Sequence, residues 1–282
     1  MHVQFLLYIC GEFKKIVMRY KLTVILLLMF LVPVKAYEPV EHENVLKVKY
    51  GFMSQVDPYL SPLVFHGQQI GLGNEWWQSF RKDSAHWAHV GRFDINGLRA
   101  YNTAYSNMIY GLGIYAGWGA YYKWSFLDGH LAVHLGPYLE ANFMVREIAS
   151  NVNKPFSFDA GVDVMAMTGI SWSFYGKKTS YRLRYLLRTN LIGVDYMPDY
   201  WESYYEITEG VKGDARCSGQ WNHNMIRHEL TLDFQFPHST WRLGAEHIFL
   251  DYRTKYMEYK QHQINIVVGC IWKYKIRPNA KL

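Results

Sequence analysis

Three stretches of this 282-residue chain concentrate side chains able to bind or neutralise charge. The first holds Glu140 and Arg146, the second Asp159 and Asp163, the third Arg182, Arg184 and Arg188. Even spacings put each set on one face of an extended strand. Brought together, such groups make either an ionic eyelet or polar ligand site, or a packing of mutually neutralised ion pairs. We take Glu140, Asp159, Asp163, Arg182, Arg184 and Arg188 as the candidate binding cluster. The packing role fits a narrow bore better, because a closed sheet of ~8–10 strands leaves little open space. Three arginines on one strand repel unless acids face them, and Asp159 and Asp163 lie on the preceding strand. Further along, Arg227, Glu229 and Asp233 alternate with apolar residues, and Asp233 is expected to pair with Arg242 across a tight turn.

Other chemistry is less marked. His66, His89, His134, His223 and His262 are candidate bases, with His66, His223 and His262 near one end of the strand map. No spacing singles out a serine–histidine or aspartate–histidine pair, so no catalytic residue is assigned. A hydrolase acting on lipid or peptide is the alternative function. No Cys-x-x-Cys or histidine cluster marks a metal site, and no cofactor is indicated. The segment 196–221 carries Asp199, Tyr200, Trp201, Glu202, Tyr204, Tyr205, Glu206 and Glu209, which suit contact with a glycan or protein partner or a cap on the barrel mouth. Cys217 in this polar segment and Cys270 in an apolar strand are poorly placed for a disulfide.

The elements that position these groups show in the stretch 108–126, MIYGLGIYAGWGAYYKWSF. Met108, Tyr110, Leu112, Ile114, Ala116, Trp118, Ala120, Tyr122, Trp124 and Phe126 form one apolar face. Four glycines, Tyr115, Tyr121 and Lys123 form most of the other. The period is two, that of a strand. The same alternation recurs through 130–146, 156–174 and 264–276. Strands are expected at 45–55, 63–80, 87–101, 108–126, 130–147, 156–174, 180–195, 223–236, 240–254 and 261–277. The first two alternate poorly, so eight or twelve strands remain open. The clearest segments run to ~15–20 residues, against a mode of ~5–6 in soluble sheets. Short connections at 127–129, 175–180 and 237–239 fall at the end of the chain termini; the longer 148–155 and 196–221 fall at the other. The fold class is therefore an all-β, transmembrane, antiparallel up-and-down β-barrel of about ten strands. A soluble barrel would point its apolar face inward and show lysine and glutamate outside. Here the glycines sit opposite the apolar face, as a narrow lumen requires.

Composition agrees. Half the residues are apolar, yet mean hydropathy is −0.17, so apolar residues are dispersed. The net charge is +6, but residues 1–36 hold Lys14, Lys15, Arg19, Lys21 and Lys35 against Glu12. The remainder is nearly balanced, which excludes nucleic acid as a partner on charge grounds. Arg19 and Lys21, the apolar run Leu22 to Val32, and Val34-Lys35-Ala36 read as a cleavable secretory signal, with Met18 as its start. The run is too short for a spanning helix, which needs about 20 residues. The domains expected are 1–36, extension and signal, and 37–282, one barrel whose principal partner is outer-membrane lipid.

Two motifs carry a resemblance. Asp57-Pro58-Tyr59-Leu60-Ser61-Pro62-Leu63-Val64-Phe65-His66-Gly67 and Glu202-Ser203-Tyr204-Tyr205-Glu206-Ile207 resemble parts of an uncharacterised outer-membrane barrel family, a domain of unknown function, of Bacteroidetes-type Gram-negative bacteria. Pro58 stands where a threonine is expected. The resemblance implies an outer-membrane barrel over most of the chain and transfers no activity. The function expected is that of an outer-membrane barrel with a polar lumen, a narrow channel or a surface binding or structural protein, and not an enzyme.

Overall fold

The structure, a computed structural model, describes residues 40–276 apart from 80–85, 149, 152–154, 177–178, 200–214, 237 and 255. The expected signal segment lies outside these residues. The strands are β1 (Val40–Asp57), β2 (Ser61–Ser79), β3 (Trp87–Asn102), β4 (Met108–Phe126), β5 (Leu131–Ile148), β6 (Phe156–Tyr175), β7 (Ser180–Tyr196), β8 (Arg216–Gly219), β9 (His223–Gln235), β10 (Thr240–Arg253) and β11 (Glu258–Ile276). Consecutive strands pair antiparallel except β8 and β9, which both pair with β7; β1 pairs with β11, and β6 with β7, so the sheet closes on itself. The four-residue β8 takes over from β9 beside the last turn of β7, leaving ten staves. Closure leaves no open sheet edge, the condition for crossing hydrocarbon with strands.

The expected boundaries hold closely. The first strand begins five residues earlier than alternation suggested, and 63–80 is regular after all. In β2, Phe65, Gly67, Gln69, Gly71, Gly73, Glu75 and Trp77 face inward; Ile70 and Leu72, 60% exposed, face outward. The faces of β4 are as read, with Leu112 outside and Gly113, Tyr115 and Tyr121 buried inside. The outer surface carries an apolar belt, seen in β11 as Ile264, Ile266, Val268, Cys270 and Trp272. That span matches the ~9–11 residues a tilted strand needs. Trp87, Trp124, Trp172, Trp241 and Trp272 ring the belt at the end where Val40 and Ile276 lie, the terminal end. Tyr50, Phe52, Tyr110 and Phe156 mark the far end. This is the banded exterior of a membrane barrel with aromatic girdles. Cys270 is free and faces outward, so it does not pair with Cys217.

Short turns are not confined to the terminal end. At the far end, Pro58-Tyr59-Leu60 joins β1 to β2, and 254–257 joins β10 to β11. The first of these folds into the mouth. Asp57 Oδ1 accepts hydrogen bonds from the Tyr59 and Leu60 amides at 3.2 and 3.4 Å, closing the turn on its own side chain. Tyr59 and Leu60 are buried beside Phe65, Leu98, Ile109 and Ile148. The Asn151 side-chain amide donates to the Leu60 carbonyl at 2.8 Å. The first family-like motif is thus a turn tucked into the lumen mouth.

Candidate functional site

Alternation turns the charged residues inward, and the closed wall removes them from water. From the terminal end, Glu43 meets Arg182 at 2.7 Å, Arg184 at 3.3 Å and Arg242 at 3.4 Å. Asp233 meets Arg182 and Arg242, each at 2.7 Å. Glu75 follows, with Lys47 at 2.9 Å and Arg242 at 3.0 Å, and it accepts from Trp77 Nε1 at 2.6 Å. Glu229 joins Lys47 at 3.4 Å to Arg92 at 3.5 Å and Arg188 at 3.7 Å. Lys49 then lies 3.1 Å from Asp94 and 3.3 Å from Glu246; both acids also meet Arg92. Glu140 pairs with Arg227 at 2.8 Å. Aromatic rings pack the guanidinium faces: Arg184 lies over Trp77 and Arg188 over Tyr138. Most of these groups are no more than 2% exposed. A buried ion costs several kcal/mol unless it is well paired, and here most have two or more partners.

The six predicted cluster residues therefore separate into two levels. Arg182, Arg184 and Arg188 do not draw on Asp159 and Asp163. The register sets Ser173, Ser171 and Met167 opposite them on β6. Their acids are Asp233 and Glu229 on the neighbouring β9, Asp233 directly opposite Arg182, and Glu43 and Glu75 across the bore on β1 and β2. The expected Asp233–Arg242 pair forms in the register of the tight turn. Asp159 pairs with Arg146, which also reaches Asp57 at 3.0 Å. The sequence reading missed Glu43, Lys47, Lys49, Glu75, Arg92 and Asp94; their signal was the inward parity of β1 to β3.

The far-end level has a different construction. Gly161-Val162-Asp163 on β6 and Gly193-Val194-Asp195 on β7 are the same tripeptide on paired antiparallel strands. Val162 sits opposite Val194, Asp163 opposite Gly193, and Asp195 opposite Gly161. A methyl group on either glycine would overlap the facing carboxylate oxygen. The glycines thus let both carboxylates lie back over the sheet. His223, at the start of β9, places Nδ1 2.8 Å from Asp195 Oδ2 and 3.5 Å from Asp163 Oδ1. Ser218 Oγ donates to Asp195, and Asn142 Nδ2 donates to Asp163 Oδ2 at 3.4 Å. A cavity of ≈ 40 Å³ adjoins, lined in part by Asp159, Asp195, His223, Asn142 and Tyr252.

Of the other histidines, His66 and His262 face outward. His134 Nε2 lies 3.1 Å from Ser171 Oγ, but both are buried on the terminal-end side and His134 Nδ1 has no hydrogen-bond partner. That pair lacks the acid that would orient a base. Most of the aromatic and acidic residues of 196–221, with the second family-like motif, lie outside the described residues.

A closed ten-stave sheet, an apolar belt with aromatic girdles and a lumen packed with ion pairs define an integral membrane β-barrel with a polar, filled interior. The family model described as "Protein of unknown function (DUF3316)" matches residues 22–277, and the chain belongs to that family. No curated protein matches the sequence. Among solved structures, it is similar to the outer membrane protease OmpT from Escherichia coli, at 6% identity and a TM-score of 0.40, over 85% of this chain and 98% of that one. It is also similar to the translocator domain of the autotransporter NalP from Neisseria meningitidis, at 8% identity and 0.36, over 84% and 89%. An outer membrane channel from Pseudomonas putida F1 matches at 8% and 0.32, over 86% and 100%. The likeness is one of barrel fold and brings no activity with it.

Proposed function

We propose that this protein is an outer-membrane barrel that does not conduct, and that it serves at the cell surface as a binding or structural protein. The observation that carries this reading is the ion-pair lattice. Lys47, Glu75, Arg92, Glu229, Arg242 and Glu246 come from β1, β2, β3, β9 and β10 and meet in the middle of the bore, each no more than 2% exposed. A conducting pore needs a continuous wet path, whereas these charges are spent on one another. The far mouth, with its buried Tyr59-Leu60 turn and the segment 196–221, is the face offered to a glycan or protein partner. The apolar belt supports placement in lipid, and the leader-like residues 18–36 support export and cleavage after Ala36. A hydrolase is not favoured: Ser218 bonds Asp195 rather than His223, and the serine–histidine pair at Ser171 lacks an acid.

Planar-bilayer recording of the purified, refolded barrel tests this. Wild type is expected to give no discrete current steps. The variant E75A/E229A/E246A, stripped of acids that hold the lattice together, is expected to give noisy, transient openings or to refold poorly. Stable wild-type steps in the range of a small porin would overturn the reading.

A further inference from the structure

The twin Gly-Val-Asp pair is not needed to fill the bore. Two carboxylates are drawn towards one imidazole nitrogen, and that nitrogen carries at most one hydrogen. The hydrogen serves Asp195 at 2.8 Å. Asp163 Oδ1, in a residue 0% exposed, then has no hydrogen-bond donor although it points at the same nitrogen. Around it the far-end level holds Asp57, Asp159, Asp163 and Asp195, and among the described residues Arg146 is the one arginine that reaches these acids. Buried carboxylates in excess of their cations are costly, and such sites gain a counter-charge from a bound ion. The two glycines opposite the aspartates supply the room that lets both carboxylates converge.

We propose that Asp163, Asp195 and His223 form a binding site for one divalent transition-metal ion of the zinc or manganese kind. The three ligand atoms lie within 4.8 Å of one another, close enough for one ion to touch all three after small side-chain adjustments. An imidazole with two carboxylates suits a borderline metal, whereas calcium takes six to eight oxygens. The adjoining cavity has space for water to complete the coordination shell. Asn142 holds Asp163 by Oδ2, the oxygen turned away from His223, and Ser218 donates to Asp195 Oδ2, the oxygen that faces the imidazole; both are outer hydrogen bonds that fix ligand orientation. No sequence spacing announces the site, because its ligands come from three strands. It stands whether or not the bore conducts.

The test uses the full folded barrel in detergent, stripped with chelator and titrated with Zn²⁺, Mn²⁺ and Ca²⁺ by calorimetry, with metal content measured after dialysis. One zinc or manganese per barrel is expected. D163N and H223Q are expected to weaken binding about 100-fold or more, beyond what loss of an outer hydrogen bond does. H247Q, on the outer wall, is expected to bind as wild type does. G161A, whose methyl group would displace the Asp195 carboxylate, is expected to weaken binding while the folded band persists on a gel run without boiling. Absence of zinc and manganese binding in wild type would leave a proton shared among Asp163, His223 and Asp195, and would overturn the proposal. So would binding of Ca²⁺ alone, or wild-type affinity in folded D163N and H223Q.

Discussion

Arg242 shows how a single residue is used in this lumen. Its Nε and Nη2 grip Asp233 at 2.7 and 3.1 Å, and Nη1 reaches Glu75 at 3.0 Å. Removing one member of such a group leaves the others buried without a counter-charge, whereas removing both partners of a pair can be close to neutral. Arg242→Leu is therefore expected to destabilise the barrel by about 3–5 kcal/mol. The double variant R242L/D233L is expected to recover part of that loss, because Arg182 and Glu43 still neutralise each other at 2.7 Å. Urea-driven unfolding of refolded protein measures both. A single-variant cost below about 1 kcal/mol would mean that the ion pairs do not hold the core. Asp233 and Arg242 were legible in the sequence because a tight turn fixes their register. Glu43 and Glu75, the partners that Arg182, Arg184 and Arg188 find on β1 and β2, were not, since contacts across a bore depend on barrel size and stagger, which alternation leaves undetermined.

At the scale of the element, β7 holds the clearest lesson. Arg182, Arg184, Arg188 and Asn190 face inward at even positions, yet Gly193 and Asp195 face inward at odd ones. Strict alternation from the arginines sends Asp195 towards lipid, which is why the sequence reading did not place it in the lumen. The switch lies at a bulge. Met165 pairs with Asn190 and Val164 with Ile192, so Leu191 has no partner on β6 and stands outward beside Ile192. A bulge re-aims the residues beyond it, and here it brings the second Gly-Val-Asp into register with the first. Two adjacent apolar residues between polar runs of opposite parity were the available signal. Deleting Leu191 joins two stretches already in phase, so ΔLeu191 is expected to refold into vesicles with near wild-type yield. Deleting Leu187, inside the regular ladder, turns the charged side chains on one side of the cut towards lipid, and ΔLeu187 is expected not to fold. Mobility on gels with and without boiling reads both outcomes. Failure of ΔLeu191 with the same severity as ΔLeu187 would refute the bulge as the source of the phase change.

For the whole molecule, the two ends differ in construction, and that difference orients it. The terminal end carries the tryptophan ring and the turn Leu127-Asp128-Gly129, which has positive φ at each of its three positions. The far end carries the tucked Tyr59-Leu60 turn, the longest connection and the Asp163–Asp195–His223 group. Barrels of this class place short turns in the periplasm and long loops outside. The preference is carried here mainly by the connection between β7 and β8, since 58–60 and 254–257 are short too. Orientation is therefore best decided by chemistry on intact cells. In a C270S background, Ala104→Cys lies in the exposed β3–β4 turn at the far end and Asp128→Cys in the exposed β4–β5 turn at the terminal end. A membrane-impermeant maleimide is expected to label Ala104→Cys on whole cells above the level of the parent, and Asp128→Cys only after the envelope is broken. The reverse pattern would put the termini and the tryptophan ring outside and turn the candidate metal group towards the periplasm. Equal labelling of both on whole cells would mean that the chain is not held across a sealed membrane at all, a result that an exterior of exposed leucine, isoleucine and valine argues against, because so wide an apolar belt is stable only when lipid covers it.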